Sequence, residues 1–79
     1  MLYKANYIED AVIRIDDKNN RAYVKLLYNL IEYEVSIKSD MVLGNYDYHN
    51  IPYDIKKEEY DTFGKSWKFG KSEKEKITL

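Results

Sequence analysis

The chain has no cysteine, one proline, one histidine, three glycines and only two arginines in 79 residues. Without cysteine there is no disulfide framework, no thiolate metal site and no thiol nucleophile. A single histidine, His49, heads no His/Cys zinc cluster, and in YDYH a loop His beside Asp47 reads as a solvated or locally hydrogen-bonded pair. No apolar run approaches the roughly 20 residues that a membrane helix needs. The opening MLYKANYIED also lacks the apolar middle of an export signal, so the expected setting is intracellular, in the cytoplasm of a bacterial host, with no membrane partner. Net charge is scarce as well. It is −1 overall, −3 over residues 1–54 and +2 over residues 55–79, too little to demand a polyanionic or polycationic partner.

What the chain does have is lysine, tyrosine and alternation. Lys outnumbers Arg eleven to two, and Lys, Ile, Asn, Tyr, Phe and Met supply 38 residues against nine from Gly, Ala, Arg and Pro. That skew points to AT-rich coding, as in a low-GC bacterium, its phages or its mobile elements. Tyr occurs nine times, a side chain that suits either a thin core or a binding surface because its ring is apolar and its tip polar. A chain of this length forms one small domain, divided as a β-meander (1–38), a loop, short helix and return segment (39–72), and a tail or short last strand (73–79). The expected class is α+β: a three- or four-stranded antiparallel meander with one short helix and an aromatic C-terminal segment.

The meander is the clearest signal. AVIRIDD sets Ala11, Ile13 and Ile15 on one face against Val12, Arg14 and Asp16 on the other. RAYVKLLY sets Ala22, Val24, Leu26 and Tyr28 together, and IEYEVSIK does the same with Ile31, Tyr33, Val35 and Ile37. Strict period-2 alternation describes strands with one dry face and one wet face. A turn at Lys18-Asn19, or over residues 17–20, brings Asp16 opposite Arg21, Ile15 opposite Ala22, Ile13 opposite Val24 and Ala11 opposite Leu26. A two-residue turn at Asn29-Leu30 sets Tyr28 opposite Ile31, Leu26 opposite Tyr33, Val24 opposite Val35, Ala22 opposite Ile37 and Lys25 opposite Glu34. The weak point is Leu30, too bulky for the positive φ of a tight hairpin, so a bulge or longer loop is expected there. LYKANYI reads as a further strand with Tyr3, Ala5 and Tyr7 on one side, followed by a bend at residues 8–10.

From Ser39 the alternation stops. Gly44-Asn45 marks a turn, and Asp54 caps a helix over residues 54–63 that Gly64 closes. Tyr-Asp recurs at 46–47, 53–54 and 60–61 with Trp67 at the same spacing, which places Tyr53 and Tyr60 on one face of that helix. SWKF then reads as a strand returning to the sheet, SEKEK as a solvated link and ITL as a last strand.

FGKSWKFGKS, residues 63–72, carries the candidate site. GKS resembles the end of a phosphate-binding loop, but the glycine required five positions before Gly64 is Glu59, and the second copy has Lys65 there. No nucleotide cofactor follows, and no carboxylate dyad or metal-ligand set appears, so the chain reads as a non-enzyme. Lys65, Lys68 and Lys71 interleave with Trp67 and Phe69, and Tyr46 and Tyr48 precede them. Rings and cations in this order fit a protein interface anchored by aromatics, with Trp67 and Phe69 either exposed to the partner or docked on the core. The alternative is single-stranded nucleic acid, where rings stack bases and lysines hold phosphates. The expected function is a regulator or inhibitor that binds another protein, such as an antagonist of a host defence or replication protein. An open sheet edge would also allow self-association.

Overall fold

The structure is a computed structural model that describes residues 1–44 and 51–69, with the backbone alone at 75–76. Tyr46, Asp47, Tyr48, His49 and Lys71, and the strand expected at 77–79, lie outside the described residues. The chain runs β1 (Leu2–Asn6), β2 (Ala11–Asp16), β3 (Arg21–Leu26), β4 (Tyr33–Val35), α1 (Asp40–Leu43), β5 (Tyr53–Asp54), α2 (Lys57–Thr62), β6 (Trp67–Lys68) and β7 (Glu75–Lys76). The first five strands form one sheet in the order β4-β3-β2-β1-β5, antiparallel at each pairing. The architecture is thus a small α+β meander, wider by β1 and β5 than three strands.

The β2–β3 register follows from the alternation: Asp16 faces Arg21, Ile15 faces Ala22, Ile13 faces Val24 and Ala11 faces Leu26. The connection is the four-residue one, in which Asn20 takes φ 56° and its N–H donates to the Asp17 carbonyl. Asn accepts the left-handed region more readily than most residues, so the turn chemistry and the strand pattern agree.

The β3–β4 register differs from expectation by two residues. Ala22 pairs with Val35 and Val24 with Tyr33, and Glu34 lies opposite Tyr23, not Lys25. Leu30 does adopt φ 58°, but in a connection of six residues closed by hydrogen bonds from the Asn29 and Leu30 N–H groups to the Leu26 carbonyl. A shift of two preserves which face each strand residue occupies, so Tyr33 and Val35 still enter the core. Tyr28 and Ile31 do not; they are 83% and 65% exposed.

Both faces of the sheet are covered. One carries Ala11, Ile13, Ile15, Ala22 and Val24 under Val42 of α1. The other carries Ala5 and Val12 under Ile55, Tyr60, Phe63, Trp67 and Phe69, so the side expected to be wet is covered around Val12 and stays charged and exposed farther along, at Arg21 and Glu34. Rings close this second layer, with Phe63, Trp67 and Phe69 centroids 5.0 to 5.6 Å apart in tilted and edge contacts.

The second half departs from expectation at three points. Residues 40–43 form α1, where the Ser39 hydroxyl accepts from the Met41 N–H and Gly44 closes the helix at φ 69°. Asp54 caps no helix. It lies in β5 opposite Lys4 and binds its ammonium at 2.8 Å, so α2 starts later and Tyr53 belongs to a strand. Finally, β6 pairs with β7 and not with the main sheet, so Glu75 and Lys76 are part of a ladder. Gly64 takes φ 80° just past α2, as a closing glycine should.

Candidate functional site

Residues 63–72 divide into an inner and an outer set. Trp67 and Phe69 are only 6% and 7% exposed, and the Trp67 indole N–H donates to the Glu59 carbonyl at 2.6 Å. Both rings therefore dock on the core, and as they sit neither offers a face on which a base could stack. Lys65 and Lys68 are exposed. The Lys65 and Ser66 N–H groups donate to the Thr62 carbonyl, forming the turn that carries the chain from α2 into β6.

Several exposed apolar side chains gather elsewhere. Tyr7 and Ile8 lie on the 7–10 turn, and Tyr28 and Ile31 on the 27–32 loop; all four are exposed, and the Tyr7 ring also meets the edge of buried Phe69 at 5.6 Å. β1 runs up to the first of these loops, β2 starts from it and β3 runs up to the second, so both stand at the same end of the sheet. Exposed Ile51 belongs to that end too, because it precedes Tyr53 by two residues and Tyr53 pairs with Ala5, two residues before Tyr7. Single exposed apolar residues are ordinary on a protein surface. Several on adjacent loops are not.

These loops are fixed from both sides. The Leu27 N–H donates to the Asp10 carbonyl at 2.9 Å, tying one loop to the other. Asp10 and Leu30 hold φ values of 49° and 58°, a conformation that a residue with a Cβ adopts at some cost. Leu30 is kept there by tertiary contact: its side chain packs against the second core layer and lies over Gly64, so closely that a Cβ at Gly64 would sit 2.6 Å from Leu30 Cδ2. On the other side of Ile31, the Glu32 carboxylate accepts from Arg14 Nε at 3.1 Å and Nη2 at 2.6 Å, and from the Tyr60 hydroxyl. Arg14 also lies 4.1 Å from the Tyr23 ring centroid. Ile31 is thus held outward between two anchored neighbours.

The same network perturbs its ionisable groups. Hydrogen bonding to Arg14 holds Glu32 below the ordinary 4.5, and the carboxylate in turn raises Arg14. Burial first, then the bond to Glu32, raises the Tyr60 phenol above the ordinary 10.0. Burial lowers Lys25, whose Nζ donates to the Tyr60 carbonyl at 2.6 Å and lies 4.2 Å from the Tyr60 ring centroid. The arrangement clamps the 27–32 loop and α2 to the sheet.

The signs give a pH profile. Glu32, with its lowered folded pKa, contributes stability above the ordinary value of 4.5 and loses that contribution as pH falls through the lowered one. Tyr60 stays neutral in the fold while the unfolded chain ionises, so its contribution is lost as pH rises above 10.0. Urea midpoints are expected to be level near neutrality and to fall at both extremes. Glu32→Gln should flatten the acid limb, with Asp16 and Asp61, also lowered, supplying what remains. An acid limb of unchanged steepness in that variant would break the link to Glu32.

Two shallow hollows of about 440 Å³ flank the opposite end of the sheet, one along Glu34, Val35, Ser36, Ile37 and Lys38, the other along Asp16, Arg21 and Tyr23. The first borders the open edge of β4, which is three residues long with Glu34 at its centre. Pairing two copies about Glu34 would set like charges face to face, a feature that opposes edge-to-edge association. Among the described residues no cluster of three His, Cys, Asp or Glu is placed to hold a metal, and no helix is long and apolar enough to cross a membrane. Compared with family models, curated proteins and solved structures, the chain matches none.

Sequence reasoning missed Tyr7, Ile8, Tyr28 and Ile31. Its assumption of a two-residue turn had buried Tyr28 and Ile31. The available signal was LLYNLI, where apolar residues outnumber the places that one face of a hairpin can hold.

Proposed function

We propose that this chain is a small protein–protein interaction module, a regulator or inhibitor that works by occupying its partner and performs no chemistry itself. The observation that carries this reading is the apolar end of the sheet, where Tyr28 and Ile31 are held out to solvent by anchored neighbours. A preset loop loses little conformational entropy when it docks, so a modest apolar area yields useful affinity. Tyrosine and large aliphatic side chains are also suited to fill a partner's pockets. The AT-rich coding is in keeping with a bacterial, phage or mobile-element setting, where an antagonist of a host defence or replication protein is one form such a module takes. Of the lysines on which the nucleic-acid reading rests, Lys65 and Lys68 are exposed and Lys71 lies outside the described residues.

The test compares two double variants that leave the core alone. Tyr28→Ser/Ile31→Ser is expected to keep its urea midpoint within about 0.5 kcal/mol of the parent, as exposed positions do, and to lose at least tenfold in affinity for a partner isolated from host lysate. Lys65→Glu/Lys68→Glu is expected to keep that partner. The opposite pattern, or salt-sensitive binding of single-stranded oligonucleotides that the lysine variant abolishes, would overturn the reading in favour of nucleic acid.

A further inference from the structure

The two loops of the apolar end carry charge of one sign, and the exposed Lys65, next to the Gly64 that Leu30 covers, borders the 27–32 loop from α2's closing turn. The 7–10 turn contributes Glu9 and Asp10, the 27–32 loop contributes Glu32, and neither contains Lys or Arg. Arg14 neutralises Glu32 across the sheet, whereas Glu9 and Asp10 take part in no ion pair among the described residues. The backbone holds both in place: the Glu9 N–H donates to the Asn6 side chain at 3.2 Å, and the Asp10 N–H to the Tyr7 carbonyl at 3.2 Å. Asn6 itself is fully buried and donates to the Met41 carbonyl, so the acidic turn is tied to α1 as well as to β1.

From this we infer that the occupant of the apolar end is a protein segment whose apolar side chains are flanked by Lys or Arg. The inference rests on the protein-binding reading above and adds the chemistry of the partner. Apolar contact with Ile8, Tyr28, Ile31 and the exposed part of Tyr7 supplies the driving force as these surfaces leave water. The carboxylates at its rim decide which apolar surfaces arrive. They raise the association rate of a basic segment and oppose an acidic one, since like charges brought together across an interface are costly. The same two carboxylates disfavour an anionic lipid surface and nucleic acid, each of which attracts cations.

Isotope-labelled full-length protein, followed by its amide resonances, tests this directly. The probes are two amphipathic peptides of about 15 residues, long enough to form a helix on docking, with the same leucine face and either lysine or glutamate on the other. Vesicles of phosphatidylglycerol and a single-stranded oligonucleotide are the other two probes. The lysine peptide is expected to shift residues 7–10 and 27–32 and to bind at least tenfold more tightly than the glutamate peptide. Glu9→Lys/Asp10→Lys, with a spectrum otherwise like the parent's, is expected to reverse that preference, and vesicles and oligonucleotide are expected to shift neither loop. Equal binding of both peptides at these loops overturns the charge preference while leaving the protein-binding reading standing. Absence of any shift at these loops with either peptide, or a shift there with vesicles or oligonucleotide, overturns both.

Discussion

Phe63→Ala is expected to abolish cooperative folding at 25 °C. Phe63 is the largest of the fully buried side chains, and its ring meets those of Trp67 and Phe69 in the layer that covers Val12. Truncating a buried Phe to Ala costs about 3–5 kcal/mol, because the lost transfer energy is joined by a cavity that a packed layer fills only in part. A domain below about 80 residues holds roughly 3–5 kcal/mol in total, so one such loss consumes most of it. Trp67 is the only tryptophan and touches the site of change, so its emission reports the result. The variant should show a red-shifted spectrum without denaturant and no sigmoidal urea transition. Phe63→Leu, which keeps most of the volume, should remain folded with a loss of about 1–2 kcal/mol. A Phe63→Ala protein that still unfolds cooperatively near the parent midpoint would show that the aromatic layer is not what closes this face.

Gly64→Ala is expected to cost about 2–5 kcal/mol, an unusual penalty for adding one methyl group. Two effects combine. At φ 80° a residue with a Cβ pays roughly 1–2 kcal/mol, and the new Cβ would lie 2.6 and 2.8 Å from the two terminal carbons of Leu30, an overlap worth about 1–3 kcal/mol. Leu30 has little room to retreat, since its own backbone is in the left-handed region and its side chain packs on the second core layer. The effects separate in a double-mutant cycle. Leu30→Ala removes the overlap but not the φ penalty, so Gly64→Ala in that background should cost at least 1 kcal/mol less than in the parent. Strictly additive losses in urea denaturation would mean that the two side chains do not meet. Because Tyr28 and Ile31 flank Leu30, the pair also links α2's closing turn to the presentation of the apolar end.

The meander was legible because a period-2 pattern is local. Ile13 and Val24 show by their spacing alone that they share a face, and Asn20 shows the turn that pairs them. Gly64 was legible for the same reason, since the end of a helix needs a left-handed residue wherever the helix lies. α1 was readable from Ser39 as its cap and Gly44 as its stop, but four residues give no periodicity to raise the signal. Asp54 illustrates the limit of single-residue signals. Its side chain suits a cap, yet Lys4, fifty positions earlier, offers a strand partner and an ammonium, and pairing prevails.

Residues 63–72 show the same division. Their rings and lysines were visible, and their order favoured docking on the core while leaving display to a partner open. The structure places Trp67 and Phe69 inside, Lys65 and Lys68 outside, and assembles the exposed apolar end from Tyr7, Ile8, Tyr28 and Ile31, the last two of which the two-residue turn had hidden.

By itself the sequence determined the strands of the meander, β1 to β4, which of their side chains share a face, the β2–β3 register and the glycine that ends α2. Each depends on residues within a turn or one strand of one another. Only the tertiary structure decided that the Val12 side of the sheet is covered as well, that the β3–β4 register slides by two, and that Leu30 accepts a left-handed backbone. Alternation separates two faces without saying what covers the second, and here Phe63, Trp67 and Phe69 cover it from about fifty positions away. A slide of two residues leaves every face unchanged, so the pattern is blind to it, and the choice falls to the contacts of Leu30 with Gly64 and of Glu32 with Arg14 and Tyr60.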